Sequence, residues 1–400
     1  MFIAQRKNGE KISLAERWDK KVLDEYRRKE AFFCPICDGA VTLKLGSKRI
    51  WHFAHHKEAS CLEGYERESD YHLLGKLQLY HWIKGVGTDA ELEKFLPECG
   101  QRADISFEWE HKKFAIEFQC SPINQELFKK RTEGYKKNGV SPIWILGGNQ
   151  INRMGSNVLS LNHFQYLFLQ QGNTGWGISA YCPDSRNFIF INHAIPISTR
   201  KVAAALSLIP RNQVQLHELL KPPVPEFQFI PIWIHELQKF KRGYFIHPGP
   251  PQKAFLTELY TKRFNLQTLP PELGLPVPSA PFIETPPLIW QTYLFLDIFR
   301  HLKKGNTFST SNISTAFTLR LRGQQITIRD FPLDFTGHYL NAVEEYLNLL
   351  VKISTLIKIS SNTYAMNHPL TVSKTVEQQI QSEKMFYNKN QNVIMKQFLY

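Results

Sequence analysis

The chain has 400 residues, 42% of them hydrophobic, and a net charge of +13. That length and apolar fraction exclude a disordered tail or a minimal disulfide scaffold and call for two or three packed domains. No apolar run is long enough to cross a bilayer. The start, Met1-Phe2-Ile3-Ala4-Gln5-Arg6-Lys7, lacks the apolar stretch of a secretory leader, so a cytoplasmic protein is expected. The charge is uneven: residues 1–150 hold 25 Lys and Arg against 22 Asp and Glu, and residues 151–400 hold 24 against 14. A basic balance favours polyanions, nucleic acid foremost.

Residues 1–66 read as a small basic module. Asn8-Gly9 favours a tight hairpin turn, and residues 14–30 are charged and read as helical. Cys34-Pro35-Ile36-Cys37 follows, then His52, His55, His56 and Cys61. In a reducing compartment such a set indicates a metal site rather than disulfides. Zinc takes four sulfur and nitrogen ligands in a closed structural site. The expected ligands are Cys34, Cys37, His52 and His55, with His56 or Cys61 able to replace one. Lys44, Lys48 and Arg49 lie nearby in sequence and would permit contact with DNA.

Residues 67–200 carry the chemistry. A helix begins near Glu68-Ser69-Asp70-Tyr71-His72, and its fourfold spacing puts Glu68, His72 and Lys76 on one polar stripe. Two candidate strands follow, Asp104 to Trp109 and Phe114 to Gln119, joined by Glu110-His111-Lys112-Lys113. Alternation puts Phe114, Ile116 and Phe118 on one face and Glu117 and Gln119 on the other. The hairpin is therefore expected to bury its aromatic face and to present Asp104, Glu117 and Gln119 on the opposite side. Paired carboxylates suit Mg²⁺ or Mn²⁺, and such an ion can activate water against a phosphodiester. Ser121-Pro122 is expected to start the next helix, with Arg131 and Tyr135 four apart on it. Val140 to Leu146 reads as an apolar strand, and residues 150–200 as further short strands or a short helix.

This order of helix, strands, helix and strand resembles the PD-(D/E)xK nuclease superfamily, in the variant with Gln in place of the final Lys. Within it the chain resembles the competence protein CoiA family. The carrying residues are Cys34-Pro35-Ile36-Cys37, His52-Phe53-Ala54-His55, Glu68-Ser69-Asp70-Tyr71-His72, Arg102-Ala103-Asp104 and Ile116-Glu117-Phe118-Gln119, within residues 1–150. The resemblance implies a bacterial protein that acts on, or helps recombine, DNA taken up during transformation. It assigns Asp104 and Glu117 to a divalent ion, with Glu68 as a third ligand and Asp70 as the competing choice. Gln119 would orient water or phosphate, and His72, Lys76, Arg131 and Tyr135 are candidate phosphate contacts. Gln cannot act as a cation, which keeps open a second reading, a non-catalytic DNA-binding recombination adaptor on a nuclease fold.

Residues 201–287 form a Pro-rich connection in which Trp233 to Lys241 is the one helix expected. Residues 288–400 contain helical patterns at Leu288–Leu302, Ser311–Leu319 and Leu340–Val351, then a hairpin at 356–366. Three helices and a hairpin read as a winged-helix-like domain, a class that often contacts DNA. The tail from Ser382, rich in Gln, Asn and Lys, is expected to be partly disordered. The combined expectation is an α/β protein. A zinc-finger-like module (1–66) precedes a restriction-endonuclease-like core (67–200), a connection (201–287) and a mostly helical C-terminal domain (288–400). Its expected cofactors are structural Zn and catalytic Mg or Mn, and its partners single-stranded or duplex DNA and recombination proteins.

Overall fold

The computed structural model describes residues 1–56, 61, 68–172, 175–226, 228–331 and 337–398. The chain forms two compact units. The first comprises residues 1–151, 178–190 and 207–223, and the second 152–177, 191–206 and 224–400. Among the described residues no helix is long and apolar enough to cross a membrane.

The first unit opens with β1 (Ile3–Arg6) and β2 (Lys11–Ser13), an antiparallel pair whose turn uses Gly9 at φ +86°. Helix α1 (Lys20–Lys29) is capped by Asp19, whose side chain accepts from the Lys21 amide. Then come β3 (Phe32–Phe33), β4 (Ala40–Lys44) and β5 (His52–His55). These five strands make one sheet in the order β2-β1-β3-β4-β5.

Helix α2 (Asp70–Gly85) is capped by Ser69, which accepts from the His72 amide. Strands β6 (Ala90–Leu92), β7 (Phe95–Leu96), β8 (Gln101–Arg102), β9 (Ile105–Trp109) and β10 (Lys112–Gln119) follow. The β9–β10 hairpin is tighter than the four-residue turn expected. Trp109 pairs with Lys112, and Glu110 and His111 both take positive φ, as a two-residue turn with the right twist requires. Helix α3 (Gln125–Lys137) then crosses to β11 (Val140–Gly147), which runs parallel to β10 with Glu117 opposite Trp144. A parallel pair needs such a crossover. The cap of α3 is Asn124, accepting from the Glu126 amide at 2.7 Å, so the helix starts three residues beyond the expected Ser121-Pro122.

Both faces of the β10–β11 sheet are covered. Phe114, Ile116 and Phe118 pack in one cluster with Leu73, Leu79 and Ile83 of α2. Ala115 packs on the other side with Tyr135 and Val140, and Phe128 of α3 stacks on Trp144 at 4.1 Å. The expected alternation holds, but the face expected to be open lies under α3, and Glu117 is only 4% exposed. Buried on both sides, a parallel strand loses its polar face. Gly75 sets the spacing of α2: a Cβ there would sit 2.0 Å from a ring carbon of Phe118.

The second unit holds helices at Phe229–Gly243, Pro250–Thr261, Pro287–Asp297, Thr310–Arg322, Tyr339–Lys352 and Val376–Met395. A small sheet joins strands Thr307–Ser309, Thr363–Met366 and Leu356–Lys358, in that spatial order. Its core includes Trp233, Trp290, Phe317, Tyr346 and Tyr387. Two expectations are corrected here. The Pro-rich connection contains two further helices, Leu216–Leu220 and Pro250–Thr261; in the second, Pro250 and Pro251 occupy the first turn, where a missing N–H is harmless. The tail is a 20-residue helix rather than disordered. It buries Gln379, Glu383, Tyr387 and Ile394 on one stripe, and Glu383 takes the buried Lys241 ammonium as ion partner. Polar residues on that stripe hid its period.

Candidate functional site

Lys76 is the centre of the site. It projects from α2, is fully buried, and donates to Glu68 Oε1 and, at 2.6 Å, to Glu93 Oε1. Its Nζ also lies 3.5 Å from Asp104 Oδ1. A buried ammonium is costly unless paired, and here three carboxylates surround it. Burial alone would lower the Lys76 pKa, but Glu68, Glu93 and Asp104 outweigh it and raise it.

Asp104 immediately precedes β9. Its Oδ2 accepts from the Phe118 amide at 3.0 Å and lies 3.4 Å from His72 Nε2. Burial would raise the Asp104 carboxyl, yet Lys76 and His72 hold it well below the usual range. Glu68 is lowered in the same way: burial is outweighed by Lys76, by the Met1 ammonium 2.6 Å away, and by His72 and Arg102. One ligand atom from each of Glu68, His72 and Asp104 falls within 4.8 Å of the others. The two carboxylates are oxygen donors of the kind Mg²⁺ and Mn²⁺ take, and the imidazole is a donor better suited to a softer transition metal than to Mg²⁺.

Glu117 lies beneath α3, with partners of its own. Arg131 Nη2 donates to its Oε1 at 2.5 Å, Tyr135 donates to the same oxygen, and Arg131 also reaches the Arg102 carbonyl at 2.9 Å. Burial pushes the Glu117 pKa up, with Arg131 pulling against it and Asp104 adding to it. The expected Asp104–Glu117 ligand pair is thereby redrawn: Asp104 groups with Glu68 and His72 of the α2 side, and Glu117 with Arg131 and Tyr135. The reason is that Asp104 precedes its strand and turns toward α2, outside the alternation that governs Glu117. Gln119 Nε2 donates to the Ser121 carbonyl at 2.9 Å, holding the turn after β10. Asp70 contacts Arg49 at 3.6 Å and is not in the ligand group.

Sequence reasoning missed Glu93. It is buried at positive φ, and its Oε2 accepts from the Phe2 and Ile3 amides at 2.7 and 3.1 Å. Ala90-Glu91-Leu92-Glu93-Lys94 looks like any charged surface, so no local signal marked it.

A second cluster lies in the N-terminal sheet. One ligand atom each from Cys34, Cys37, His55 and Cys61 come within 4.8 Å of one another, with His55 Nε2 3.5 Å from Cys37 Sγ. The Asp38 amide donates to the Cys34 carbonyl at 3.0 Å, and the Cys34 amide to that of Gly39 at 2.8 Å, closing a knuckle. His52 is corrected out of this set. Residues three apart on a strand face opposite ways, and His52 Nδ1 bonds the Ile50 carbonyl at 2.8 Å instead. Cys61, one of the two residues the sequence left open as a substitute, joins the cluster in its stead. Three thiols and an imidazole are a donor set that zinc fits. Burial raises the Cys34 thiol, which a bound cation would reverse.

The helix-flanked sheet that carries Asp104 and Glu117 lies in a nuclease-like domain. Residues 68–224 match the model for the competence protein CoiA nuclease-like domain, residues 231–380 that for the CoiA C-terminal domain, and residues 15–63 that for the CoiA N-terminal domain. The chain belongs to the competence protein CoiA family. It is 29% identical to the competence protein CoiA of Bacillus subtilis (strain 168) over 345 residues, 86% of this chain and 91% of that one. No solved structure matches it.

Proposed function

We propose that this protein is a divalent-metal-dependent deoxyribonuclease that processes DNA entering the cytoplasm during competence and hands it to recombination proteins. The observation that carries the reading is the convergence of Glu68, His72 and Asp104 in a nuclease-like domain. A divalent ion held there supplies activated water and neutralises charge developing on phosphate. Lys76 keeps Glu68 and Asp104 ionised and adds a fixed positive charge. His72 lies beside both carboxylates and completes the donor set. Arg131 and Tyr135 fix Glu117, and Gln119 fixes the following turn. The Cys34–Cys37–His55–Cys61 cluster is read as a closed structural zinc site.

One observation favours the adaptor alternative. The carboxylates already contact the Lys76 and Met1 ammonium groups, which compete with a divalent ion. Cleavage of linear single-stranded and duplex DNA with Mg²⁺, Mn²⁺ or EDTA decides between them. Asp104→Ala is expected to abolish metal-dependent cutting, and Glu117→Ala to weaken it by releasing Arg131 and Tyr135 from the carboxylate they hold. Identical behaviour of wild type and Asp104→Ala under every condition leaves the adaptor.

The C-terminal unit is read as a winged helix, supported by its order of helix, strand, two helices and two strands. Its third helix, Tyr339–Lys352, is not the groove-reading element in this reading. It buries Ala342, Val343, Tyr346, Leu347, Leu349 and Leu350, and carries Glu344 and Glu345 with a single lysine. Glu345 accepts from the Ser279 amide and hydroxyl at 2.7 and 2.6 Å. A protein-interaction module fits that surface better than a DNA reader.

A further inference from the structure

An open cavity of about 630 Å³ lies between α1 and the connection from β4 to β5. Arg27, Lys44, Lys48, Arg49 and His52 line it, and no carboxylate does. Lys44 and His52 are cross-strand partners at the base of the connection. The seven residues between them carry Ser47, Lys48 and Arg49. Arg27 comes from the last turn of α1 and pairs with Asp24 at 2.8 Å. Among the described residues, no carboxylate lies within ion-pairing distance of Lys44 or Lys48. Arg49 makes only the 3.6 Å contact to Asp70, and at 74% exposed it is held weakly.

Basic residues on a convex surface are solvated and need no partner. Here four cations from two separate elements converge on one concavity, where mutual repulsion raises the local potential and favours a polyanion. The cavity also has a direction. Asp70, beside Arg49, opens α2 between Glu68 and His72.

We infer that this cavity binds the phosphodiester backbone of a nucleic-acid strand that continues across the Glu68–His72–Asp104 site. Only the continuation rests on the nuclease reading; the cavity's affinity for phosphodiesters does not. Lys44, Lys48 and Arg49 contact successive phosphates, Arg27 closes the far wall, and no base edge is read, so binding is strong in salt dependence and weak in sequence preference. The N-terminal module is then a strand guide for the domain that follows it.

The test uses the full-length Asp104→Ala protein, so that binding is read without cutting, and a fluorescent single-stranded oligonucleotide titrated across salt. Replacing Lys44, Lys48 and Arg49 together by Gln is expected to weaken binding at least about tenfold and to flatten the salt slope by about 2, since each single-strand phosphate contact contributes roughly 0.7. The Lys44→Arg/Lys48→Arg variant is expected to bind like its parent. Melting temperatures should match, because the side chains are exposed at their tips. An unchanged slope and affinity in the triple variant overturns the inference. So does oligoglutamate competing as well as DNA of equal charge. If the Asp104→Ala parent still cuts DNA, the nuclease reading fails, while the comparison of slopes continues to decide the cavity.

Discussion

The first unit contains two groups of metal-ligating side chains built on opposite principles. The Cys34–Cys37–His55–Cys61 cluster is made of three thiols and an imidazole that contact one another, His55 Nε2 lying 3.5 Å from Cys37 Sγ. The Glu68–His72–Asp104 cluster is already satisfied: Lys76 and the Met1 ammonium hold its carboxylates. On the proposed zinc reading the thiol cluster would depend on its metal for order, whereas the carboxylate cluster is held by ion pairs within the protein and would trade a contact to admit an ion. Structural sites are of the first kind, and sites whose occupancy changes in a reaction cycle are of the second.

The largest effect expected is on the thiol cluster. Cys34→Ser removes a ligand from a site whose occupancy is worth on the order of 10 kcal/mol in comparable zinc modules. It should abolish stoichiometric zinc in the purified protein and unfold the N-terminal sheet, while the second unit keeps its melting transition. Elemental analysis and differential scanning calorimetry read both. A full complement of zinc in Cys34→Ser, or none in the wild type, would show that the thiol cluster is not held by zinc.

Next comes Lys76→Met. Removing one partner from a buried ionic network leaves the others uncompensated and costs about 3–5 kcal/mol. Mn²⁺ should also bind this variant more tightly than wild type and restore part of the lost stability, because the competing ammonium has gone. Calorimetric titration with Mn²⁺, paired with urea unfolding, checks it. Mn²⁺ binding weaker than in wild type would mean that Lys76 assists the ion rather than competes with it.

The smallest effect belongs to Gln119→Ala. Its amide secures the Ser121 carbonyl, a neutral hydrogen bond worth about 1 kcal/mol. Urea unfolding should show a loss of that size, and cleavage should fall less than in Asp104→Ala. A loss of cutting as complete as that of Asp104→Ala would place Gln119 at the reacting phosphate.

Much of the site was legible in the sequence for local reasons. His72 and Lys76 share a helix face by spacing alone, while Glu68, expected on the same stripe, precedes the Ser69 cap and reaches Lys76 from outside the helix. The alternation of Phe114, Ile116 and Phe118 against Glu117 is likewise local. The Asn8-Gly9 turn and the Cys34-x2-Cys37 knuckle need only their neighbours. Strand spacing, applied more strictly, would also have separated His52 from His55.

What the sequence by itself determined is therefore the set of residue types and the faces they occupy within each helix or strand, because backbone geometry repeats with a fixed period. Tertiary structure alone decided which faces meet. It put α3 over Glu117, brought Glu93 across to Lys76 from 17 residues away, and carried Cys61 rather than His52 to the thiol cluster. It also gathered Arg27 of α1 with Lys44, Lys48 and Arg49 around one cavity. Those choices are made by packing and charge compensation between segments distant in sequence. The energy of a buried carboxylate or ammonium depends on which partner arrives, and no local pattern records that partner.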